Sequence, residues 1–341
     1  MERTPLVDLP PELASPQATR PVRYLLGVDG GATKTLAAVL DLETLSVRLG
    51  HSGPSNEDAV GPAAAVEALL DAADEAIQSA GVSSEQVGSA VLAVAGTDTD
   101  ALAEHVRAAR TGAWIVVNDV VGAWASATGA GPGVGVIAGT GSNVFGVGPG
   151  GEGWRVGGWG HILGDEGSGY WLGLESIKAT LHDREASGPA TALTEVAPAF
   201  FDVDSVEALA SLVYSKPLTK GEIAAFTVET VRIAELGDEV ARDLVARGGA
   251  ELGAQVATVI GQTGLSGRFP VGLIGSAFKA GALFVDPLAA VVHEQAPEAQ
   301  LAAVEMAPVA GSLLLAARAC GQSEWLSVAA LSEVLDTALA I

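Results

Sequence analysis

Three carboxylates and two glycine turns define the chemistry this sequence is equipped for. In "GVDGGATKT" (residues 27–35) an apolar run ends in Asp29, and Gly30, Gly31, Thr33 and Lys34 follow. Glycine has no Cβ, so backbone N–H groups there can approach a ligand closely; Thr33 adds a hydroxyl donor and Lys34 a positive charge. That combination suits a phosphate. A carboxylate beside a phosphate needs a hard cation between them, and Mg²⁺ held at Asp29, with water in its remaining positions, supplies one. The same residues also spell a plain hairpin turn, for which Asp-Gly is a strong signal. No glycine precedes Lys34, so the stretch is not a Walker A loop. "IAGTGSN" (residues 137–143) gives a second turn, with Thr140 and Gly141 at its tip. Two such turns facing each other would clamp a nucleotide's phosphates from both sides.

The second carboxylate, Asp119, follows the apolar run "AWIVVN". Ligand chemistry in α/β proteins gathers at the carboxyl ends of strands. A fixed carboxylate there can take the proton of a hydroxyl attacking a γ-phosphate; it can equally cap the helix that follows. The third, Asp165, lies in "GGWGHILGDEGSGYWLG" (residues 157–173), which packs five glycines, Trp159, His161, Asp165 and Glu166 into the twelve residues up to Ser168. Acids accept from sugar hydroxyls and an aromatic face packs on C–H patches, so this loop suits a carbohydrate. Asp165 and Glu166 are alternatively caps for the next helix. His161 alone reads as a structural hydrogen-bonding residue.

The elements that must position these groups alternate between strand and helix. Residues 22–28, 36–40 and 46–51 read as a three-stranded meander, residues 59–80 as an amphipathic helix, and "QVGSAVLAVAG" as a buried strand. Acids early and bases late mark "DTDALAEHVRAAR" as a helix. Residues 134–138, the Gly/Thr turn and "NVFGV" repeat the strand–turn–strand pattern of residues 24–41. This internal echo predicts two lobes of related architecture. Residues 168–263 read as mostly helical, "FPVGLIGSAFKAGALF" as strand, turn and helix, and 308–319 and 325–340 as two closing helices. The expected division is a flexible, proline-rich extension over 1–21, an N-terminal lobe over 22–129 plus 322–341, and a C-terminal lobe over 130–321.

Composition excludes several classes. The chain has 341 residues, 49% of them hydrophobic, and its 18 basic and 41 acidic residues give a net charge of −23. So acidic a surface disfavours nucleic acid and anionic membranes as partners. A single cysteine, Cys320, cannot form an internal disulfide or hold an iron–sulfur cluster within one chain. No secretory signal is evident, and a cytoplasmic protein is expected.

"GVDGGATKT", "VVND", "IAGTGSN", "GGWGHILGDEGSGYW" and "GSAFKAG" occur in that order. Together they resemble the N-acetylglucosamine kinase-like, BadF/BadG/BcrA/BcrD-type ATPases of the actin/hexokinase/Hsp70 superfamily, over roughly residues 24–320. The resemblance implies two ribonuclease-H-like α/β lobes around a central cleft that binds ATP, Mg²⁺ and a sugar. It assigns Asp29 to Mg²⁺ through water, Gly30, Gly31, Thr33, Lys34, Thr140 and Gly141 to the phosphates, and Gly275, Ser276 and Lys279 to the adenine-side loop. It assigns Asn56, Asp119, Gly158, Trp159, Gly160 and Asp165 to the sugar, with Asp119 also as catalytic base. Lys34 stands where animal members carry arginine. The activity implied is phosphorylation of an amino-sugar 6-hydroxyl, with N-acetylglucosamine first and glucosamine, glucose, N-acetylmannosamine or N-acetylmuramic acid as alternatives. A homodimer is also implied. The superfamily branch includes ATPases that activate dehydratases or reductases through an iron–sulfur cluster, which one cysteine disfavours. A sugar-sensing DNA-binding regulator is disfavoured by the charge and by the short N-terminal segment.

Overall fold

The computed structural model describes residues 9–14, 22–96, 99–215, 218–323 and 326–340. Ten strands form two five-stranded sheets. The first holds β1 (Tyr24–Gly30), β2 (Thr35–Asp41), β3 (Ser46–Ser52), β4 (Val87–Val94) and β5 (Trp114–Asn118), in the order β3-β2-β1-β4-β5. The second holds β6 (Gly133–Ala138), β7 (Ser142–Val147), β8 (Gly153–Gly157), β9 (Pro270–Ile274) and β10 (Gln300–Ala303), in the order β10-β9-β6-β7-β8. Read from the other edge, the second sheet repeats the first strand for strand. Each opens with an antiparallel meander, and its fourth and fifth strands join parallel to the first. The echo in the sequence is thus a repeated topology.

The unbroken apolar run of β1 follows from cover on both faces. Leu26 and Val28 pack with Leu69 and Ala72 of the helix Pro62–Ala80. Leu25 packs on the opposite side with Leu313 and Leu314 of the helix Val309–Ala319. The amphipathic segment expected at 59–80 is split in two, Glu57–Val60 and Pro62–Ala80, at Gly61, whose φ is 82°. Two short edge elements carried no clear signal in the sequence: β8, which has glycine at both ends and is only partly buried, and β10, which is mostly exposed.

The helix Asp119–Thr128 lies between the sheets. It packs on β6 and β9 of the second sheet, and on β4 and the helix Val309–Ala319. Trp124, fully buried, meets Phe145 edge to face at 5.7 Å and donates from Nε1 to Gly131 O at 3.1 Å. The two helices cross at Gly122 and Gly311; a Cβ on Gly311 would collide with Gly122 O.

Two expected boundaries move. The helix Val309–Ala319 packs on β1, β2 and β4, so the chain returns to the N-terminal lobe at Val309 and not at 322. Its reason is its burial: all nine residues from Val309 to Ala317 are buried, a helix apolar all round that must sit inside. Within the extension expected to be flexible, residues 9–14 are anchored. Leu13 is fully buried in the N-terminal core, and its carbonyl accepts from Arg318 Nε at 2.7 Å. Residues 1–8 and 15–21 of that expectation lie outside the described residues.

Candidate active site

The carboxyl ends of the central strands bring the candidate residues to one side of each sheet. Asp29 lies within β1, one residue before its end, between Leu36 of β2 and Ala93 of β4. The turn after it is closed by Gly31 N donating to Lys34 O at 3.1 Å. Ala32, Thr33 and Lys34 are exposed at its tip. Behind it, Ser55 N donates to Gly31 O at 3.0 Å, and Ser55 Oγ accepts from Thr35 Oγ1 at 2.8 Å. Asn56, half-buried, follows directly and opens the helix Glu57–Val60 through its carbonyl.

Asp119 is the first residue of the helix Asp119–Thr128, and it is not the cap. Asn118 caps that helix, its Oδ1 accepting from Val120 N at 3.2 Å. Asn118 Nδ2 donates to Gly96 O at 3.0 Å, which ties the cap to the loop after β4. With Asn118 as the cap, the Asp119 carboxylate still draws on the Val120 N–H but is not committed to closing the helix. Both acids keep part of their surface open. Enough protein surrounds them to push the Asp29 carboxyl up to about 6, with Lys34 pulling the other way. The Asp119 carboxyl is pushed up to about 7, first by burial and then by the Asp29 charge, against the Val120 N–H and Arg155.

The turn after β6 is built differently. Gly139 N donates to Gly141 O at 2.9 Å, and the turn is bound to the start of the helix Gly169–Arg184 by Gly169 N to Gly139 O at 2.8 Å and Tyr170 N to Thr140 O at 3.2 Å. Thr140 keeps an exposed side chain. Gly275, with φ 121°, follows β9 against Ala138; a Cβ there would strike the Ala138 carbonyl. Ser276 and Lys279 follow on the exposed turn Ser276–Ala280. The resemblance placed these residues along a nucleotide, and the parallel pairing of β6 with β9 does put their loops side by side.

The glycine-rich loop divides into two parts. Gly158 and Gly160 have φ of 73° and 79°, and Trp159 between them is 51% exposed. A Cβ on Gly158 would meet the Asn143 side-chain amide. His161 packs edge to face on Tyr170 at 4.9 Å. Asp165, at φ 66°, turns inward and is 3% exposed. Its Oδ1 accepts from Ser142 N at 3.1 Å, and Lys220 Nζ stands 2.7 Å from Oδ2. In this structure Asp165 therefore braces the turn after β6, whereas the resemblance assigned it to the sugar. Neither Asp165 nor Glu166 caps the next helix; Ser168 does, accepting from Trp171 N at 3.2 Å.

Three residues that sequence reasoning missed belong to this region. Asn143 Nδ2 donates to Asn118 Oδ1 at 3.2 Å and links the two lobes beside Asp119, while its own Oδ1 is buried without a partner. Lys220, some fifty residues beyond the loop, reaches back to Asp165 and Gly141. Arg155 of β8 carries its guanidinium over the Trp159 ring at 5.7 Å and acts on the Asp119 charge. The Asn in "GTGSN" was quotable from the sequence; nothing local marked Lys220 or Arg155. Two cavities, ≈ 350 Å³ beside Lys178 and Arg247 and ≈ 490 Å³ beside Ser126 and Gln300, lie elsewhere and include none of the acids or turns above.

The residues present fit a nucleotide and a metal. Two acids held above the ordinary carboxylate range, with no cation ion-paired to either among the described residues, are open to positive charge. Among the described residues no three His, Cys, Asp or Glu side chains form a metal cage. Mg²⁺ held through one carboxylate, water and phosphate oxygens needs none. Cys320 is buried, with Sγ against Ala316 O at 3.2 Å, and offers no cluster ligand. No helix among the described residues is long and apolar enough to cross a membrane.

Comparison with known proteins agrees with this architecture. The family model described as BadF/BadG/BcrA/BcrD ATPase matches residues 26–316. An N-acetylmuramic acid/N-acetylglucosamine kinase of Clostridium acetobutylicum is 32% identical over 244 residues, 70% of this chain and 80% of the relative. An N-acetyl-D-glucosamine kinase of Dictyostelium discoideum is 29% identical over 315 residues, 85% of this chain and 97% of the relative. The solved structure of a candidate N-acetylglucosamine kinase from Chromobacterium violaceum superposes with a TM-score of 0.68 at 25% identity, covering 86% of this chain and 99% of that one.

Proposed function

The chain belongs to the BadF/BadG/BcrA/BcrD ATPase family, and on that premise we propose that it is an ATP-dependent kinase of an amino-sugar 6-hydroxyl, with N-acetylglucosamine as acceptor. The observation that carries the reading is the pair Asp29 and Asp119 at the ends of β1 and β5, both carboxyls pushed up by burial and Asp119 further by the Asp29 charge. One acid suits a metal–phosphate and the other a proton.

In this reading the sugar lies between Asn56, Asp119 and the Gly158–Trp159–Gly160 segment. Asp119 accepts the 6-hydroxyl proton as the oxygen moves onto the γ-phosphorus in line with the departing ADP. A base with a pKa near 7 is well matched to that work at neutral pH. The turns at Gly30–Lys34 and Gly139–Gly141 hold the triphosphate from opposite lobes, with Thr33, Lys34 and Thr140 as exposed donors. Gly275, Ser276 and Lys279 line the adenine end. Mg²⁺ bound through water to Asp29 would neutralise charge on the phosphates. Holding both reactants in one geometry is a large part of the rate enhancement.

A coupled ADP assay across N-acetylglucosamine, glucosamine, glucose, N-acetylmannosamine and N-acetylmuramic acid, with phosphorus NMR of the product, tests acceptor and position together. ADP release from N-acetylglucosamine with phosphate at C6 is the expected result; ATP hydrolysis without sugar phosphate would overturn it. A homodimer in the cytoplasm completes the proposal, and sedimentation at micromolar concentration tests the dimer.

A further inference from the structure

Two lysines in this molecule hold acids at almost the same distance and in very different settings. Lys178 meets Glu175 at 2.6 Å within one helix, on the surface. Lys220 meets Asp165 Oδ2 at 2.7 Å, and that acid is buried. The elements that bring this second pair together are closely docked. The helix Lys220–Ala225 lies on the helix Gly169–Arg184, where a Cβ on Gly173 would strike Ile223 O. Just beyond it, Thr227 Oγ1 donates to Gly169 O at 2.6 Å. The pair meets at the turn after β6. A Cβ on Gly141 would lie 2.8 Å from Lys220 Nζ and 3.0 Å from Asp165 Oδ1, so a side chain there would push the ammonium off its place. An ammonium carries three N–H groups. Asp165 is the ion-pair partner of Lys220 among the described residues, and the Lys220 side chain is 34% exposed, which leaves it open to a second partner.

We propose that Lys220 is a phosphate-binding residue: Asp165 holds its ammonium beside the turn after β6, and the remaining N–H groups bond the β- or γ-phosphate of the nucleotide. This rests on the kinase reading above and adds a residue to the same site. The charge balance calls for such a group. The chain carries −23, a triphosphate is itself an anion, and phosphoryl transfer needs positive charge at the transferring group. Lys34 stands at the tip of the turn after β1, and Lys279 on the turn assigned to the adenine end. Lys220 supplies the corresponding charge at the turn after β6. Lysine is a point charge on a flexible four-carbon stem. Tied to a buried acid, it is placed before the nucleotide arrives, so little ordering remains to be done on binding. Ser142 N bonds the other oxygen of Asp165, so the acid draws on Lys220 through one oxygen alone. Ile223 shares a core with Val136 and Ala138 of β6, so the lysine and the turn belong to the same lobe.

Calorimetric titration of the full chain, with Mg²⁺ present, against a non-hydrolysable ATP analogue and against AMP gives two dissociation constants that involve no turnover. Their ratio is compared for the wild-type chain, Lys220→Met, Lys220→Arg and the double variant Lys220→Met/Asp165→Asn. Removing the lysine alone leaves a buried charge without its partner; the double variant removes both charges, so it still reports if Lys220→Met folds poorly. Wild type should bind the analogue more tightly than AMP. Lys220→Met and the double variant should each lower that preference by about 10- to 100-fold, and Lys220→Arg should lower it less. A preference unchanged in Lys220→Met and in the double variant overturns the proposal and leaves the kinase reading standing. A preference lost in Lys220→Met and regained in the double variant also overturns it, because Lys220 then serves only to offset Asp165. Wild type that does not prefer the analogue overturns the proposal and the two-turn phosphate cradle together.

Discussion

The turns after β1 and β6 occupy the same place in two sheets of the same topology, yet the charges around them are paired in one and not in the other. The turn after β6 is satisfied: Asp165 is bonded to Ser142 N and faces Lys220, and the start of the helix Gly169–Arg184 donates two N–H groups to the turn. The turn after β1 is not. Asp29 and Asp119 repel each other at partly buried positions, with Lys34 and Arg155 acting on them only from a distance. One copy of the repeat has its turn bonded to its surroundings, and the other carries the two acids proposed to take a cation and a proton. A repeated fold therefore does not imply a repeated role; the charges left uncompensated are what the proposed function assigns to the first copy.

The sharpest way to break this comparison is to remove one acid from each copy and follow turnover. Asp119→Ala should lower kcat by about 10²- to 10⁴-fold, the range of general-base catalysis, while the dissociation constant for ATP stays within a few-fold. Near-normal kcat in that variant would mean that the charged copy is not the reactive one. Asp165→Asn should act on the fold. It removes the negative charge facing Lys220 and weakens the brace on Ser142, at a cost of about 1–3 kcal/mol given that Lys220 is partly exposed. A fall in Tm, read by calorimetry, is expected, and an unchanged Tm would deny the brace.

Much of this contrast was legible in the sequence, though unevenly. The apolar runs of β1, β2, β4 and β6, covered on both faces, announced themselves, and so did the two Gly/Thr turns. The roles of Asp119 and Asp165 were not separable there, because an acid before a helix reads as a cap. Only the structure shows Asn118 and Ser168 taking those caps. Lys220 and Arg155 were invisible because their partners, Asp165 and Asp119, are distant along the chain and no short motif encodes such a pairing. β8 and β10 were missed since short, exposed edge strands carry little periodicity.

Two smaller effects refine the comparison. The unpaired acids cost stability in the free protein, so Asp29→Asn should raise Tm at pH 8 by about 1–2 °C for each kcal/mol of repulsion and desolvation relieved, the opposite sign to Asp165→Asn. The folded protein holds protons on Asp29 and Asp119 up to pH about 6 and about 7, whereas the unfolded chain loses them near 4. Between those values the native state binds more protons, so stability falls as pH rises from about 4 to 7, and the slope should flatten in Asp119→Asn. The same group should give kcat/KM for the sugar an acid limb near pH 7, since activity needs the ionised base. A limb near pH 4 would place Asp119 in a wetter setting than its surroundings imply.

The helix Asp119–Thr128 touches both sheets at once, with Trp124 at its middle and the proposed base at its first residue. A part that bears on two bodies behaves like the pin of a hinge. When one body swings on the other, points near the pin travel least and distant rims travel farthest. In the proposed reading, the carboxylate assigned to the hydroxyl is thereby mounted beside the part common to both bodies, and the exposed tips around Thr33 and Thr140 lie on one body each.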